Sequence, residues 1–88
     1  AVVVEPLVQG AAGMKMHSAG YLAAILARAR EVGALVIVDE VATGFGRTGS
    51  FFACEQVGLS PDFLCLAKGL GAGYLPIAAT LTTAAVYE

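Results

Sequence analysis

Apolar residues along this chain fall in short runs divided by glycine-rich turns, with one stretch of helical spacing between the first two runs. Ala1–Val4, Leu35–Val38 and Phe63–Leu66 carry no polar break and are bounded by turn residues, the pattern of strands buried on both faces. Pro6 has no N–H for a ladder, so the first strand ends at Glu5-Pro6. Tyr21, Leu22, Ile25, Leu26, Ala29 and Val32 recur at helical spacing, with Ser18 as a cap and Gly33 as a stop. Arg28, Arg30 and Glu31 fall mainly off that stripe, and the two arginines suit the negative end of the helix dipole. Strand, helix and strand joined by short links form a βαβ unit, which is parallel and right-handed.

Other segments read less directly. Gln9–Gly13 and Gly69–Gly73 are expected as glycine loops. Ser50–Val57 is expected as one short helix carrying Phe51, Phe52 and Cys54 and closed by Gly58, and Ser60-Pro61-Asp62 turns the chain. Ile77–Leu81 reads as a further strand of undetermined direction, and Thr82 or Thr83 as the cap of a last helix. No repeat, linker or low-complexity tract interrupts the chain.

Composition narrows this picture. Of 88 residues, 58% are hydrophobic and 14% charged, against about 25% charged in an ordinary soluble domain. A chain this short normally needs a polar exterior. Together with strand-like first residues and no initial methionine, that makes an internal piece of a larger α/β domain the expectation. The net charge is -2 and the five basic residues are scattered, which argues against a nucleic-acid partner. No run approaches the roughly 18 apolar residues of a membrane span. Cys54 and Cys65 are too few and too isolated for a disulfide framework, so a reduced, cytoplasmic setting is expected. His17 is the only histidine, and without partners at metal-ligand spacing it reads as a surface or packing residue; no metal site is expected.

Two strand ends carry the candidate chemistry. Asp39 and Glu40 follow Leu35–Val38, and Lys68 follows Phe63–Leu66 after one alanine. In an open parallel sheet these ends lie at the edge where ligands bind, and neighbouring ends can face each other across a crevice. A lysine just past an apolar strand can be desolvated and so made nucleophilic. A lysine paired with an acid is what pyridoxal phosphate requires: an amine for its aldehyde and a carboxylate that keeps its ring nitrogen protonated. Alone, Asp39 could cap a turn and Lys68 could be a solvated lysine. The glycines beside both, Gly44, Gly46 and Gly49, then Gly69, Gly71 and Gly73, allow close approach of backbone to a ligand. Their offsets match no nucleotide-binding fingerprint.

Asp39-Glu-Val-Ala-Thr-Gly-Phe-Gly-Arg-Thr-Gly49, with Pro61-Asp62, Ala67-Lys68-Gly69 and the upstream Val4-Glu-Pro6 and Gln9-Gly10, resembles the signature of the class III aminotransferases. The resemblance covers essentially the whole chain. It implies an α/β chain of fold type I, with residues 1–88 an internal part of the large pyridoxal-phosphate-binding domain, built on a mostly parallel sheet with crossover helices. It further implies that Lys68 binds pyridoxal 5'-phosphate covalently and serves as general acid and base, that Asp39 pairs with the pyridine nitrogen, and that Val41 packs on one face of the ring. Glu5 is expected either to hold hydrogen bonds around the site or to cap the Pro6 turn. Glu40 is expected to point away from Asp39 into a structural role. Arg47 either faces the substrate carboxylate at the entrance or forms a salt bridge within its loop.

Within the class, Glu5–Met14, Phe52–Glu55, Pro61–Leu66 and Ala78–Thr83 are most similar to the aminotransferases of biotin synthesis. That likeness implies S-adenosylmethionine as amino donor and 8-amino-7-oxononanoate as keto acceptor. The alternative is another ω-aminotransferase acting on a diamine, β-alanine or another amine. Many class members carry a glutamate in the loop after Glu-Pro; Gln9–Gly13 has none and Ala11 stands near that place, which disfavours ornithine and 4-aminobutyrate. The resemblance also implies a homodimer, small-molecule substrates and a site completed by residues outside this chain. A cofactor-free binding relative is the non-enzymatic alternative, and the presence of both Lys68 and Asp39 argues against it.

Overall fold

The βαβ pattern and the third apolar run assemble into one sheet in the computed structural model, which describes all 88 residues. The elements in order are β1 (Val2–Val4), β2 (Val8–Gln9), β3 (Lys15–Met16), α1 (Ala19–Glu31), β4 (Val36–Asp39), β5 (Phe63–Leu66), β6 (Ala79–Thr82) and α2 (Ala84–Tyr87). The main sheet has the order β1-β4-β5-β6. β4 runs parallel to β1 and to β5, whereas β6 is antiparallel to β5. The sheet is therefore mixed, with a parallel half that carries Asp39 and the approach to Lys68.

The helix forms where its signals lie. Ser18 Oγ accepts a hydrogen bond from the Tyr21 N–H at 3.1 Å, and Gly33, at φ +70°, ends the helix. Leu22, Leu26 and Ala29 form its buried face and pack with Val36 and Val38 of β4 and with Cys54. Alternation along β4 then sends Ile37 and Asp39 to the opposite face of the sheet. Tyr21 and Val32 sit on the same stripe but are exposed.

Several segments differ from the sequence expectation. Gln9–Gly13 does form a loop after its first residue, but as the turn of a small antiparallel hairpin: β2 and β3 pair on either side, with Val8 opposite Met16 and Gln9 opposite Lys15. The expected helix over Ser50–Val57 contracts to a 3₁₀ turn over Ala53–Val57, since Phe51 and Phe52 are drawn into an aromatic contact with Phe45. The glycine segment after β5 is likewise a 3₁₀ turn, Lys68–Gly71. One crossover is a full α-helix, α1; the link from β4 to β5 contains only the 3₁₀ turn. Leu35 lies outside the strand and is exposed, and Asp39 is the last strand residue rather than the first beyond it.

Asp62 ties three elements together. Its Oδ2 accepts from the Val36 N–H at 2.7 Å and from Arg30 Nη1 at 2.6 Å. Arg30 Nη2 also donates to the Ser60 carbonyl at 2.7 Å, so this arginine does more than face the helix dipole. The Asp62 carbonyl accepts from Thr82 Oγ1 and the Thr83 N–H, which pins the end of β6. The Val36 N–H, and after it the Arg30 guanidinium, hold the Asp62 carboxyl below the usual carboxylate range against the opposing effect of burial. A carboxylate with a depressed folded-state pKa stabilises the fold above its unfolded pKa and loses that contribution as pH falls through the folded value. Asp62→Asn in the intact protein is therefore expected to lower the thermal unfolding midpoint at neutral pH. The difference from wild type should shrink as pH falls below about 4, read by circular dichroism melts across pH.

Candidate active site

Parallel pairing of β4 with β5 places Asp39 opposite Cys65, three residues before Lys68. β1 pairs Val4 with Val38, so the next residue, Glu5, comes level with Asp39. The result is a cleft of about 340 Å³ at the C-terminal edge of the parallel strands, lined by Glu5, Asp39, Val41 and Lys68 together with the small residues of both loops. The four residues expected to meet the cofactor are thus brought together. Arg47 is not among them. It is exposed and lines an adjoining hollow of about 280 Å³ with Val8, Met14, Thr48 and Lys68. Lys68 also lines a third, wider hollow against Tyr74–Ala78, so its side chain stands where three openings meet.

Each side chain is held by local backbone. Asp39 Oδ1 accepts from the Val41 N–H at 3.0 Å, which turns the carboxylate and leaves Oδ2 without a donor from the chain. Glu5 Oε2 accepts from the Gly10 N–H at 2.8 Å, closing the turn into the hairpin. Glu5 therefore lines the cleft and braces its wall together. Behind it, His17 Nε2 sits 2.9 Å from the Glu5 carbonyl and donates to it, while Nδ1 is buried without a partner. His17 packs edge-on to Tyr21 with ring centroids 5.9 Å apart, and the two line a separate hollow of about 310 Å³ that also touches Glu5 and Asp39. Lys68 adopts φ +38°, a left-handed conformation that a residue with a Cβ holds only when its surroundings require it.

Glu40 points the other way and is 0% exposed. Its Oε1 accepts from Thr43 Oγ1 at 2.8 Å and from the Ala53 N–H at 2.7 Å, and Oε2 accepts from the Cys54 N–H at 3.2 Å. The two backbone donors belong to the start of the 3₁₀ turn, whose first N–H groups have no partner of their own. The two adjacent acids thus divide between two faces: Asp39 toward the cleft, Glu40 into the base of the glycine loop. Burial, and next the neighbouring Glu40 carboxylate, push the Cys54 thiol up to about 12.

Sequence reasoning located the acid, the lysine and the valine but passed over Phe45. Its ring meets Phe51 and Phe52 edge-to-face at centroid distances of 5.5 and 5.8 Å. Its side chain also lies so close to Gly69 that a Cβ there would sit 2.9 Å from it. The available signal was the spacing itself, an aromatic residue between two glycines in one loop and a glycine after the lysine in the other.

The site fits pyridoxal phosphate in donor set and placement. An exposed amine can meet an aldehyde, the free Oδ2 of Asp39 can accept from a protonated ring nitrogen, and Val41 offers a stiff apolar surface beside them.

Residues 1–88 match the protein family described as Aminotransferase class-III. The chain is 56% identical over its full length to the adenosylmethionine-8-amino-7-oxononanoate aminotransferase of Nitratidesulfovibrio vulgaris, spanning 16% of that protein. It is 54% identical to the putrescine aminotransferase of Pectobacterium atrosepticum, again along its full length and spanning 19% of the relative. Among solved structures, 97% of the chain superposes on 19% of an (S)-enantioselective omega-transaminase from Thermomicrobium roseum, at TM-score 0.90 and 44% identity. The chain thus spans about a fifth of the length of the proteins it matches.

Replacing Glu40 by Ala leaves the Thr43 hydroxyl and two backbone N–H donors buried without an acceptor. A loss of about 3 kcal/mol or more is expected, measured by urea unfolding of the intact protein. In wild type the protonated, buried Cys54 thiol should resist a thiol reagent at pH 8, whereas in Glu40→Ala its modification should accelerate.

Proposed function

We propose that this chain, which belongs to the class III aminotransferases and so to a pyridoxal-phosphate-dependent family of fold type I, carries the core of a site that transfers the amino group of S-adenosylmethionine to 8-amino-7-oxononanoate. The product would be 7,8-diaminononanoate, in biotin synthesis. The observation that carries the reading is the shared cleft, in which Lys68 and Asp39 meet at the ends of two paired parallel strands. Residues 1–88 are read as part of the cofactor-binding large domain. A homodimer in a cytoplasmic setting belongs to the same proposal.

When bound, pyridoxal phosphate supplies the aldehyde that takes up the amino group and a ring that accepts electrons from the substrate carbon. The residues of this chain do the remaining work. Lys68 holds the cofactor between turnovers, and its freed Nζ takes a proton from the α-carbon of the donor. Asp39, oriented by the Val41 N–H, keeps the ring nitrogen protonated through its negative charge. Val41 packs one ring face, and Glu5 braces the turn that walls the cleft. Arg47, exposed in the adjoining hollow, meets the carboxylate of the substrate.

Support for the substrate comes from the likeness to relatives that bear the biotin-enzyme name and from the acid-free Gln9–Gly13 turn. A second reading, a diamine as substrate, draws on the comparable likeness to the putrescine enzyme. Lys68→Ala in the intact protein is expected to abolish the visible absorption of bound pyridoxal phosphate and to lower kcat by at least about 10³-fold. A variant that keeps both would end the assignment of Lys68. A donor and acceptor screen separates the substrates: turnover of putrescine without turnover of S-adenosylmethionine and 8-amino-7-oxononanoate would move the assignment to the second reading.

A further inference from the structure

Phe45 and Lys68 belong to loops that leave neighbouring parallel strands, β4 and β5. Both hold left-handed backbone, at φ +61° and φ +38°, although neither is glycine. They are coupled through Gly69. A Cβ on Gly69 would lie 2.9 Å from both Cβ and Cδ2 of Phe45, closer than real carbon contacts allow, so the side chain of Phe45 rests directly on the backbone that follows Lys68. Phe45 is in turn fixed from behind. Phe51 and Phe52 meet it edge-to-face and meet each other at 4.8 Å, and the Gly46 N–H donates to the Phe51 carbonyl at 3.1 Å. Phe52 precedes the 3₁₀ turn that the buried Glu40 caps. Phe45 itself lies outside the buried core formed between α1 and β4 and is only partly covered.

We propose that Phe45 is a positioning residue for Lys68: a wedge between the two loops that holds the Lys68–Gly69 peptide in its left-handed turn and thereby aims the amine into the cleft. A strained conformation persists only where neighbours over-determine it. At Lys68 those neighbours are the Leu70 N–H to Ala67 carbonyl bond, at 2.9 Å, and the Phe45 side chain on Gly69. Removing the ring frees the peptide to relax toward ordinary φ and swings the Cα–Cβ vector of Lys68 away from the cleft. Displacing a reacting group by an ångström is enough to cost orders of magnitude in rate. The inference rests on Lys68 being the residue that holds the cofactor, which Lys68→Ala tests separately.

The experiment uses the intact protein loaded with pyridoxal phosphate and four variants: Phe45→Ala, Phe45→Tyr, Gly69→Ala and the double Phe45→Ala/Gly69→Ala. Each is read by kcat and KM, by the pH midpoint of the cofactor's visible absorption, by retention of the cofactor on dialysis and by the melting temperature of the apoprotein. Phe45→Ala is expected to lower kcat roughly tenfold or more with little change in KM, to move the absorption midpoint and to speed cofactor loss. Phe45→Tyr keeps the ring and should stay near wild type in all four. Gly69→Ala should reproduce the defect, because its methyl displaces the ring. The double variant should be no worse than Gly69→Ala alone, since the methyl then occupies the vacated space. The proposal is overturned if Phe45→Ala, folded and loaded, keeps the wild-type kcat and absorption midpoint, or if the two single losses multiply in the double variant. Should Phe45→Ala fail to fold, Phe45→Leu with Gly69→Ala decides the same question. Covalent cofactor retained in Lys68→Ala would instead remove the assignment of Lys68, a result distinct from either outcome at Phe45.

Discussion

One buried carboxylate supports the whole region around the cleft. Glu40 accepts from a hydroxyl and two backbone N–H groups in a place that water does not reach. A charge in such a place is tolerated only when its acceptor sites are satisfied. Here the two backbone donors come from a turn more than ten residues further on, so satisfying Glu40 folds the glycine loop back onto the end of β4. The loop then has a defined base, its aromatic residues have somewhere to gather, and the neighbouring Asp39 is left facing the opposite side.

That arrangement explains why two adjacent acids have separate tasks. β4 alternates strictly, with Val36 and Val38 toward α1 and Ile37 and Asp39 toward the open face. Where the strand ends, the alternation carries over for one more residue and places Glu40 beneath the loop. Polarity alone would not distinguish them. Their position relative to a two-residue period does.

Much of this was legible in the amino-acid order. The run Phe63–Leu66 matches β5 residue for residue, the Ser18 cap and Gly33 stop bound α1 as expected, and the strand ends bearing Asp39 and Lys68 do become neighbours. The segments that resisted are those governed by contacts distant in sequence. The β2–β3 hairpin is only two residues deep on each side, too short for alternation to register. Phe51 and Phe52 carry helix-compatible spacing, yet the pull of Phe45 takes them out of the turn. The direction of β6 is that of its antiparallel ladder with β5, which sets Thr82 opposite Phe63 and Ala79 opposite Leu66, and no local pattern encodes it. The role of Arg30 was hidden for the same reason, since its acceptors lie in another turn.

The two adjoining hollows have a bearing on how such a protein diversifies. The cleft with Glu5, Asp39 and Val41 and the hollow with Val8, Met14, Arg47 and Thr48 share Gly10, Ala42 and Lys68. On the proposed reading, the first contains what the reaction needs and the second contains what admits a particular molecule. Mutations can then accumulate in one set while the other stays under purifying selection. A lineage could exchange one amine for another by altering Met14, Arg47 or Thr48 and never pass through an inactive ancestor. Comparable identity to relatives named for different substrates is what such a partition would leave behind.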